Sequence, residues 1–123
     1  MDHIKTHELA AELQFEQYQS DKKKFQENHY EYTFEDGLFF GSEPVLNKQK
    51  NGFGIMLYNP TDDNSAIYYE GYWMDDLKET WGILICEDGD EYYGGWKIDM
   101  PNGKGYLKSE KMNMKYYGEW LEG

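Results

Sequence analysis

The feature that most constrains the fold of this chain is a short aromatic and glycine pattern that recurs in its second half. The pattern Tyr-x-Gly-x-Trp occurs three times, in residues 69–73, 92–96 and 116–120. A further glycine follows eleven residues after the central glycine of the first two copies, at Gly82 and Gly105. Repetition at a period of 23 or 24 residues predicts an array of similar supersecondary units.

The spacing inside each copy predicts a β-hairpin. Alternate residues of a strand share one face, so Tyr69, Gly71 and Trp73 lie together. The glycine leaves the backbone bare between two rings, which lets a ring from a neighbouring strand lie against it. Glycine-containing turns in residues 87–89 and 101–103 then return the chain for a second strand. Because a single hairpin is only marginally stable in water, the units must stack on one another.

A degraded copy precedes these three, and the last copy is incomplete. Residues 39–41 and 52–54 match the two glycine segments with two extra residues between them, and a loop at 59–65 follows. The last copy, residues 116–120, has no second strand. We therefore predict about three and a half repeats between residues 37 and 123.

The first part of the chain has a different composition. Residues 1–36 contain no glycine and no proline, whereas all 13 glycines lie from Gly37 onward. Apolar residues recur there at spacings of three, four and seven between charged ones, which predicts an amphipathic helix over roughly residues 4–28. We predict a mostly β fold, with an N-terminal helical arm in residues 1–36 and an elongated antiparallel array of stacked hairpins in residues 37–123.

The repeat resembles the MORN (membrane occupation and recognition nexus) repeat over about residues 38–123. The positions that match the family pattern are Tyr69, Gly71, Trp73, Tyr92, Gly94, Trp96, Tyr116, Gly118 and Trp120. The resemblance implies a twisted antiparallel array without catalytic activity, and roles in protein assembly at cytoskeletal, ciliary or membrane-associated structures. Thr80 departs from the pattern because it replaces the first glycine of Gly-x-Gly. Asp76 and Asp99 stand where a turn asparagine or glycine is usual, and we expect them to soften the register of those turns.

The charge of the chain limits the partners it can bind. Its formal net charge is -12, and all 12 basic residues are lysines. This balance argues against nucleic acid, because phosphate contacts dominate such binding and arginine is the usual fork that makes them. It also argues against a broad contact with an anionic membrane. A basic protein partner is the natural electrostatic complement.

The sequence contains no residue set that predicts catalysis, a cofactor or a metal site. The three histidines all lie in the first 30 residues, so no base is positioned for a nucleophile in the repeats. His3 and His7 share a helical spacing, but a terminal helix without metal is the better interpretation. The acidic residues 87–91 lack the spacing of a calcium loop and predict a solvated turn, and Asp62–Asp63 predicts an exposed loop. The single cysteine, the absence of a signal-like apolar run and the absence of a membrane span predict a cytoplasmic protein, with cytoskeletal or ciliary association implied by the resemblance.

Both faces of the predicted strands carry apolar residues, so a second covering layer is needed. Either the N-terminal helix or an external partner supplies it. We predict partner-binding aromatic residues, since aromatics dominate binding hot spots. They are Tyr72, Tyr93, Tyr106 and Tyr117 on this second face, with Tyr116 and Trp120 on the last half repeat. The unpaired edge of that half repeat is predicted to add a strand from a partner or from a second copy in a homodimer.

The leading functional interpretation is a non-catalytic scaffold or adaptor that receives a helix or an extended peptide from a larger assembly. One alternative is an acidic inhibitor or immunity protein that neutralises a basic toxin or enzyme. Another is a phospholipid-binding adaptor that uses the basic run Lys104, Lys108, Lys111 and Lys115. A third is the substrate-positioning domain of an enzyme, although the initial methionine and the short length favour a stand-alone chain.

Overall fold

One helix and one antiparallel sheet make up the fold. The computed structural model describes residues 3–61 and 66–121, with side chains from residue 13 onward. The elements are α1 (His3–Glu27), β1 (Tyr30–Phe34), β2 (Gly37–Gly41), β3 (Gly52–Tyr58), β4 (Ala66–Met74), β5 (Leu77–Cys86), β6 (Glu91–Lys97), β7 (Met100–Ser109) and β8 (Met114–Trp120). The eight strands pair in chain order, each antiparallel to the next. The predicted fold class, a helix followed by stacked hairpins, is confirmed.

A row of glycines crosses the sheet from β2 to β8. Each of these strands contributes one glycine, and neighbours in the row are directly paired: Gly41, Gly54, Gly71, Gly82, Gly94, Gly105 and Gly118. Aromatic rings lie over this row. A Cβ atom added at Gly82 would lie 2.2 Å from the Tyr69 hydroxyl oxygen, and one at Gly105 would lie 2.3 Å from that of Tyr92. The glycines are therefore required by the close approach of the rings.

The rings over the glycine row contact one another edge-on. Successive ring centroids are 4.8 to 5.7 Å apart, a geometry that adds to the stabilisation from burial. This ring ladder runs through Phe39, Trp73, Tyr69, Trp96, Tyr92, Trp120 and Tyr116. The Trp73 indole also donates a hydrogen bond to the Gly54 carbonyl oxygen at 3.3 Å. The ladder is the core of the repeat array.

The turn aspartates join successive hairpins. Asp76 and Asp99 each occupy the second position of a two-residue turn at positive φ, 73° and 66°. The Asp76 carboxylate accepts a hydrogen bond from the Lys50 backbone N–H at 3.2 Å, and the Asp99 carboxylate accepts one from that of Lys78 at 2.8 Å. Each carboxylate also forms an ion pair with the same lysine's ammonium group. These aspartates therefore fix the contact between hairpins, where the sequence predicted a softened register.

The N-terminal arm predicted for residues 1–36 extends into the sheet. The helix ends at Glu27, close to the prediction, but Tyr30–Phe34 forms β1 and pairs with β2. The alternating aromatic residues of β1 belong to a strand pattern that a boundary set by glycine content does not detect. Phe34 contacts Phe39 at a ring centroid distance of 6.2 Å, which joins β1 to the first ring of the ladder.

Candidate protein-binding groove

The helix covers part of the second face of the sheet. Tyr18 and Phe25 are buried against Phe53, with ring centroids 5.7 and 5.4 Å apart. Tyr18 also contacts Trp81 at 4.7 Å. The sequence left open whether the helix or a partner covers this face. The chain's own helix does so over the first repeats.

Two polar contacts fix the position of the helix. The Lys22 ammonium lies 3.1 Å from Glu70, a buried carboxylate that also accepts a hydrogen bond from the Tyr68 hydroxyl. Burial raises the pKa of Glu70, because the charged form loses its hydration. The Tyr72 hydroxyl donates to Asp21 at 2.5 Å. Burial, and then this hydrogen bond, raise the pKa of Tyr72.

Beyond this contact a groove opens between the helix and the last repeats. Its volume is 560 Å³. The helix contributes Phe15 and Tyr18, and the opposite wall contains Tyr117. We call it the aromatic groove, and its lining is Gln14, Phe15, Tyr18, Thr80, Trp81, Tyr93, Gly94, Gly95, Asn102, Gly103, Lys104, Gly105, Tyr106 and Tyr117. An open groove that is mainly apolar, with a few polar groups, is the usual form of a binding site.

Three tyrosines from successive strands line one side of the aromatic groove. The ring centroids of Tyr93 and Tyr106 are 6.1 Å apart, and those of Tyr106 and Tyr117 are 6.5 Å apart. The Tyr93 hydroxyl donates to Glu91 at 2.6 Å, and this hydrogen bond, with burial, raises the pKa of Tyr93 to about 12. Tyr93 is therefore neutral at physiological pH. Tyr117 at 78% and Phe15 at 56% exposure are the freest rings of the groove.

The structure separates the aromatic residues that the sequence grouped together. Tyr93, Tyr106 and Tyr117 meet in the groove as one surface. Tyr72 is half-buried at the helix contact and is not a free anchor, because its strand lies under the helix. Tyr116 and Trp120 lie on the other face, at the end of the ring ladder.

The sequence did not identify the helix side of the groove. Phe15 and Tyr18 are three residues apart in the helix, so they lie on the same side of it. This spacing is the only signal in the sequence for the helix wall of the groove. Trp81 follows Thr80 in the Gly-x-Gly segment and was also missed. Which strand the helix crosses depends on contacts between residues far apart in the chain, so the groove was not predictable.

The four lysines of the basic run do not form one open cluster. Lys108 lies 3.8 Å from Glu91 and 3.9 Å from Glu110. Lys104 lines the aromatic groove and is paired across the strands with Glu119. Lys111 and Lys115 are exposed, at and after the β7–β8 turn. Of these four lysines, Lys108 is the one whose ammonium group forms ion pairs with described carboxylates.

In the described part of the chain, no group of three or more histidine, cysteine, aspartate or glutamate side chains is placed to hold a metal ion. The side chains of His3 and His7, and the residues Asp62 and Asp63, lie outside the described residues. None of the described residues forms a helix with the length and apolarity needed to cross a membrane. No protein-family model matches the chain, and a search of curated proteins finds no match either.

Proposed function

We propose that this chain is a non-catalytic protein-binding module that receives a peptide or a helix in the aromatic groove. The observation that carries the proposal is the groove itself, whose walls come from two elements and whose lining is rich in aromatic rings. Tyrosine, phenylalanine and tryptophan supply large contact area at low entropic cost and dominate binding hot spots. Extended segments and single faces of helices are the two forms of peptide that such grooves commonly receive.

The resemblance of the repeats to MORN repeats supports a scaffolding role for this module. We propose a cytoplasmic adaptor within a larger assembly, cytoskeletal or ciliary in nature. The strongly negative charge favours a partner with a basic surface, because complementary charge accelerates association. The groove then supplies the apolar contacts, and the net negative charge of the chain supplies the attraction.

The proposal is tested with a double variant that removes the two freest rings of the groove. Phe15→Ala and Tyr117→Ala together should reduce capture of the partner from a native lysate by at least about tenfold, as expected for loss of hot-spot rings. Both side chains are exposed, so the fold should persist, which circular dichroism checks. The matched control is Leu46→Ala, an exposed apolar residue outside the groove lining. Equal capture by the double variant and the control would contradict the proposal.

The net charge favours a second candidate, an acidic inhibitor of a basic toxin or enzyme. Such a protein would associate through long-range attraction, so its association rate should collapse as salt is raised. The groove variant would then retain most of its affinity, since charge rather than the aromatic rings would carry the binding. Salt dependence and groove dependence therefore separate these two functions.

A phospholipid-binding adaptor is the remaining candidate, through Lys104, Lys108, Lys111 and Lys115. The pairing of Lys108 with Glu91 and Glu110 weakens it, because these contacts reduce the free positive charge. Vesicles that contain phosphoinositides test it directly. Co-sedimentation that disappears when all four lysines are replaced by glutamine would favour this candidate over the groove.

A further inference from the structure

The two ends of the sheet are built differently. At the β1 end, Tyr30 is paired with Gly41, so the glycine row stops one strand before the edge. Ring contacts of Phe34 with Tyr32 and Phe39 close that end. At the other end the row continues into the last described strand, where Gly118 lies on an edge that pairs only with β7.

The aromatic ring at the β8 end is left half covered. Tyr116 lies over Gly118 just as Tyr69 and Tyr92 lie over their glycines. However, Tyr116 is 42% exposed, whereas Tyr69 and Tyr92 are 0% and 4% exposed. The difference follows from position, because Tyr69 and Tyr92 each have a strand on both sides and Tyr116 has one. A strand added to β8 would bury the last ring of the ladder.

The indole of the last repeat is also incompletely satisfied. The Trp73 and Trp96 Nε1–H groups donate to the Gly54 and Gly82 carbonyl oxygens at 3.3 and 3.2 Å. The buried Nε1 atom of Trp120 has no hydrogen-bond partner in the described part of the chain. The acceptors of Trp73 and Trp96 lie on the preceding strands, β3 and β5, so the unpaired Trp120 donor marks looser packing at the β8 end and does not by itself require an added strand.

The internal repeats show what sequence such an added strand requires. Strands β2, β4 and β6 resemble β8, because each has an aromatic residue two positions before its glycine of the row. The strands that follow them, β3, β5 and β7, place a glycine opposite that row glycine and a leucine or methionine opposite the aromatic residue. An apolar residue lies between these two positions. These segments are Gly54-Ile55-Met56, Gly82-Ile83-Leu84 and Gly105-Tyr106-Leu107.

We propose that the outer edge of β8, which pairs with no described strand other than β7, accepts an antiparallel strand from a partner protein, and that this strand carries the sequence Gly, apolar residue, then leucine or methionine. Its glycine lies opposite Gly118 and its leucine or methionine opposite Tyr116. Any side chain at the glycine position would meet the Tyr116 ring, as a Cβ at Gly105 would meet Tyr92 at 2.3 Å. This edge is a second binding surface that does not rest on the proposed function; the middle residue of the added strand lies opposite Tyr117, a residue that also lines the aromatic groove.

A second copy of this chain fits the same edge poorly. If two β8 strands pair antiparallel with Gly118 opposite Gly118, Tyr116 of each copy faces Trp120 of the other. In the pairs β2–β3, β4–β5 and β6–β7, the aromatic residue two positions before the row glycine instead lies opposite a leucine or methionine. The homodimer predicted from sequence is therefore an outcome that the experiment must distinguish from a strand of a partner protein.

The test uses the chain's own β7 sequence as the probe. A synthetic peptide of residues 100–109 should pair with β8 as β7 pairs with β6. It is titrated into the isotopically labelled full chain, and the four tryptophan indole N–H signals are followed by NMR. The Trp120 signal, assigned with the variant Trp120→Phe, should shift, and the signal of Trp81, which lines the groove, should not.

A second peptide tests the register. The same sequence with Gly105→Val keeps the length and charge but should bind at least about tenfold more weakly, because its side chain meets Tyr116. The protein variant Tyr116→Ala should weaken binding of the original peptide, whereas Phe15→Ala in the groove should leave it unchanged. Tyr116→Ala should also leave partner capture through the groove intact, so the two proposals fail separately.

Four results would overturn the inference. They are no shift of the Trp120 signal, a shift of the Trp81 signal alone, equal binding of the two peptides, and a stable dimer of the free chain that Tyr116→Ala dissociates. The last result would assign the edge to a second copy, and size-exclusion chromatography with light scattering detects it.

Discussion

Thr80 occupies a backbone position that suits glycine, and its replacement gives the most direct test of how the repeats are built. The residue stands at a β-bulge of the β4–β5 hairpin, where the pairing shifts after Gly71. Its φ is 66°, beside 78° at Gly52 and 80° at Gly103, the equivalent residues of the other hairpins. A β-branched residue in the left-handed region is an outlier, because its Cβ crowds the backbone.

The magnitude of the effect follows from two opposing costs. The left-handed conformation costs about 1–2 kcal/mol for a residue with a Cβ. Glycine avoids this cost, but it also gives the unfolded chain more conformational freedom, which lowers stability by about 0.4–1 kcal/mol. Thr80 is exposed, so its removal loses little burial. We expect Thr80→Gly to raise the free energy of unfolding by about 0.5–1 kcal/mol, and Tm by about 2–5 °C for a domain of this size.

Thermal and urea unfolding followed by circular dichroism measure this change. Thr80→Asn should also stabilise the protein, because asparagine tolerates positive φ without the entropy of glycine. Thr33→Gly is the matched control, since Thr33 is an exposed strand residue without positive φ, and it should lower stability by up to about 1 kcal/mol. If Thr80→Gly lowers Tm as Thr33→Gly does, the bulge argument is wrong.

Three further predictions concern the glycine row, the helix contact and alkaline pH. Gly82→Ala should cost about 3 kcal/mol in urea unfolding through its clash with a ring, whereas Gly103→Ala, whose Cβ would meet nothing within 4 Å, should cost only about 1 kcal/mol from its positive φ; equal costs would contradict the ring contact. Lys22→Met should lower the free energy of unfolding by about 1–2 kcal/mol, because it leaves the Glu70 carboxylate buried without its partner; the figure is kept small because the Lys22 side chain is 37% exposed. Adding Glu70→Gln removes the unpaired charge and should recover most of the loss. Burial raises the pKa of Tyr92 from 10.0 to about 12, so its stabilising contribution is complete below about pH 10 and lost as pH rises through 12. Urea midpoints measured across this range should fall less steeply in Tyr92→Phe, and an unchanged slope would refute the assignment.

The candidate site was only partly predictable, and the reason differs from residue to residue. Tyr93, Tyr106 and Tyr117 were identified because strand alternation alone assigns them to the face opposite the ring ladder. Tyr72 shares that alternation, yet its hydroxyl is taken up by Asp21 of the helix. A pairing between residues 51 positions apart cannot be read from a local pattern.

The sequence by itself determined the repeat array. Hairpins form between adjacent segments, and their glycines, turns and alternating rings are local features, so the period predicted stacked antiparallel hairpins whose pairing follows chain order. Tertiary structure decided the rest. It placed β1 in the sheet, made Asp76 and Asp99 the contacts between hairpins, and laid the helix across the first repeats. The groove exists because the helix covers only part of that face, and this depends on contacts between distant residues that no repeat period encodes.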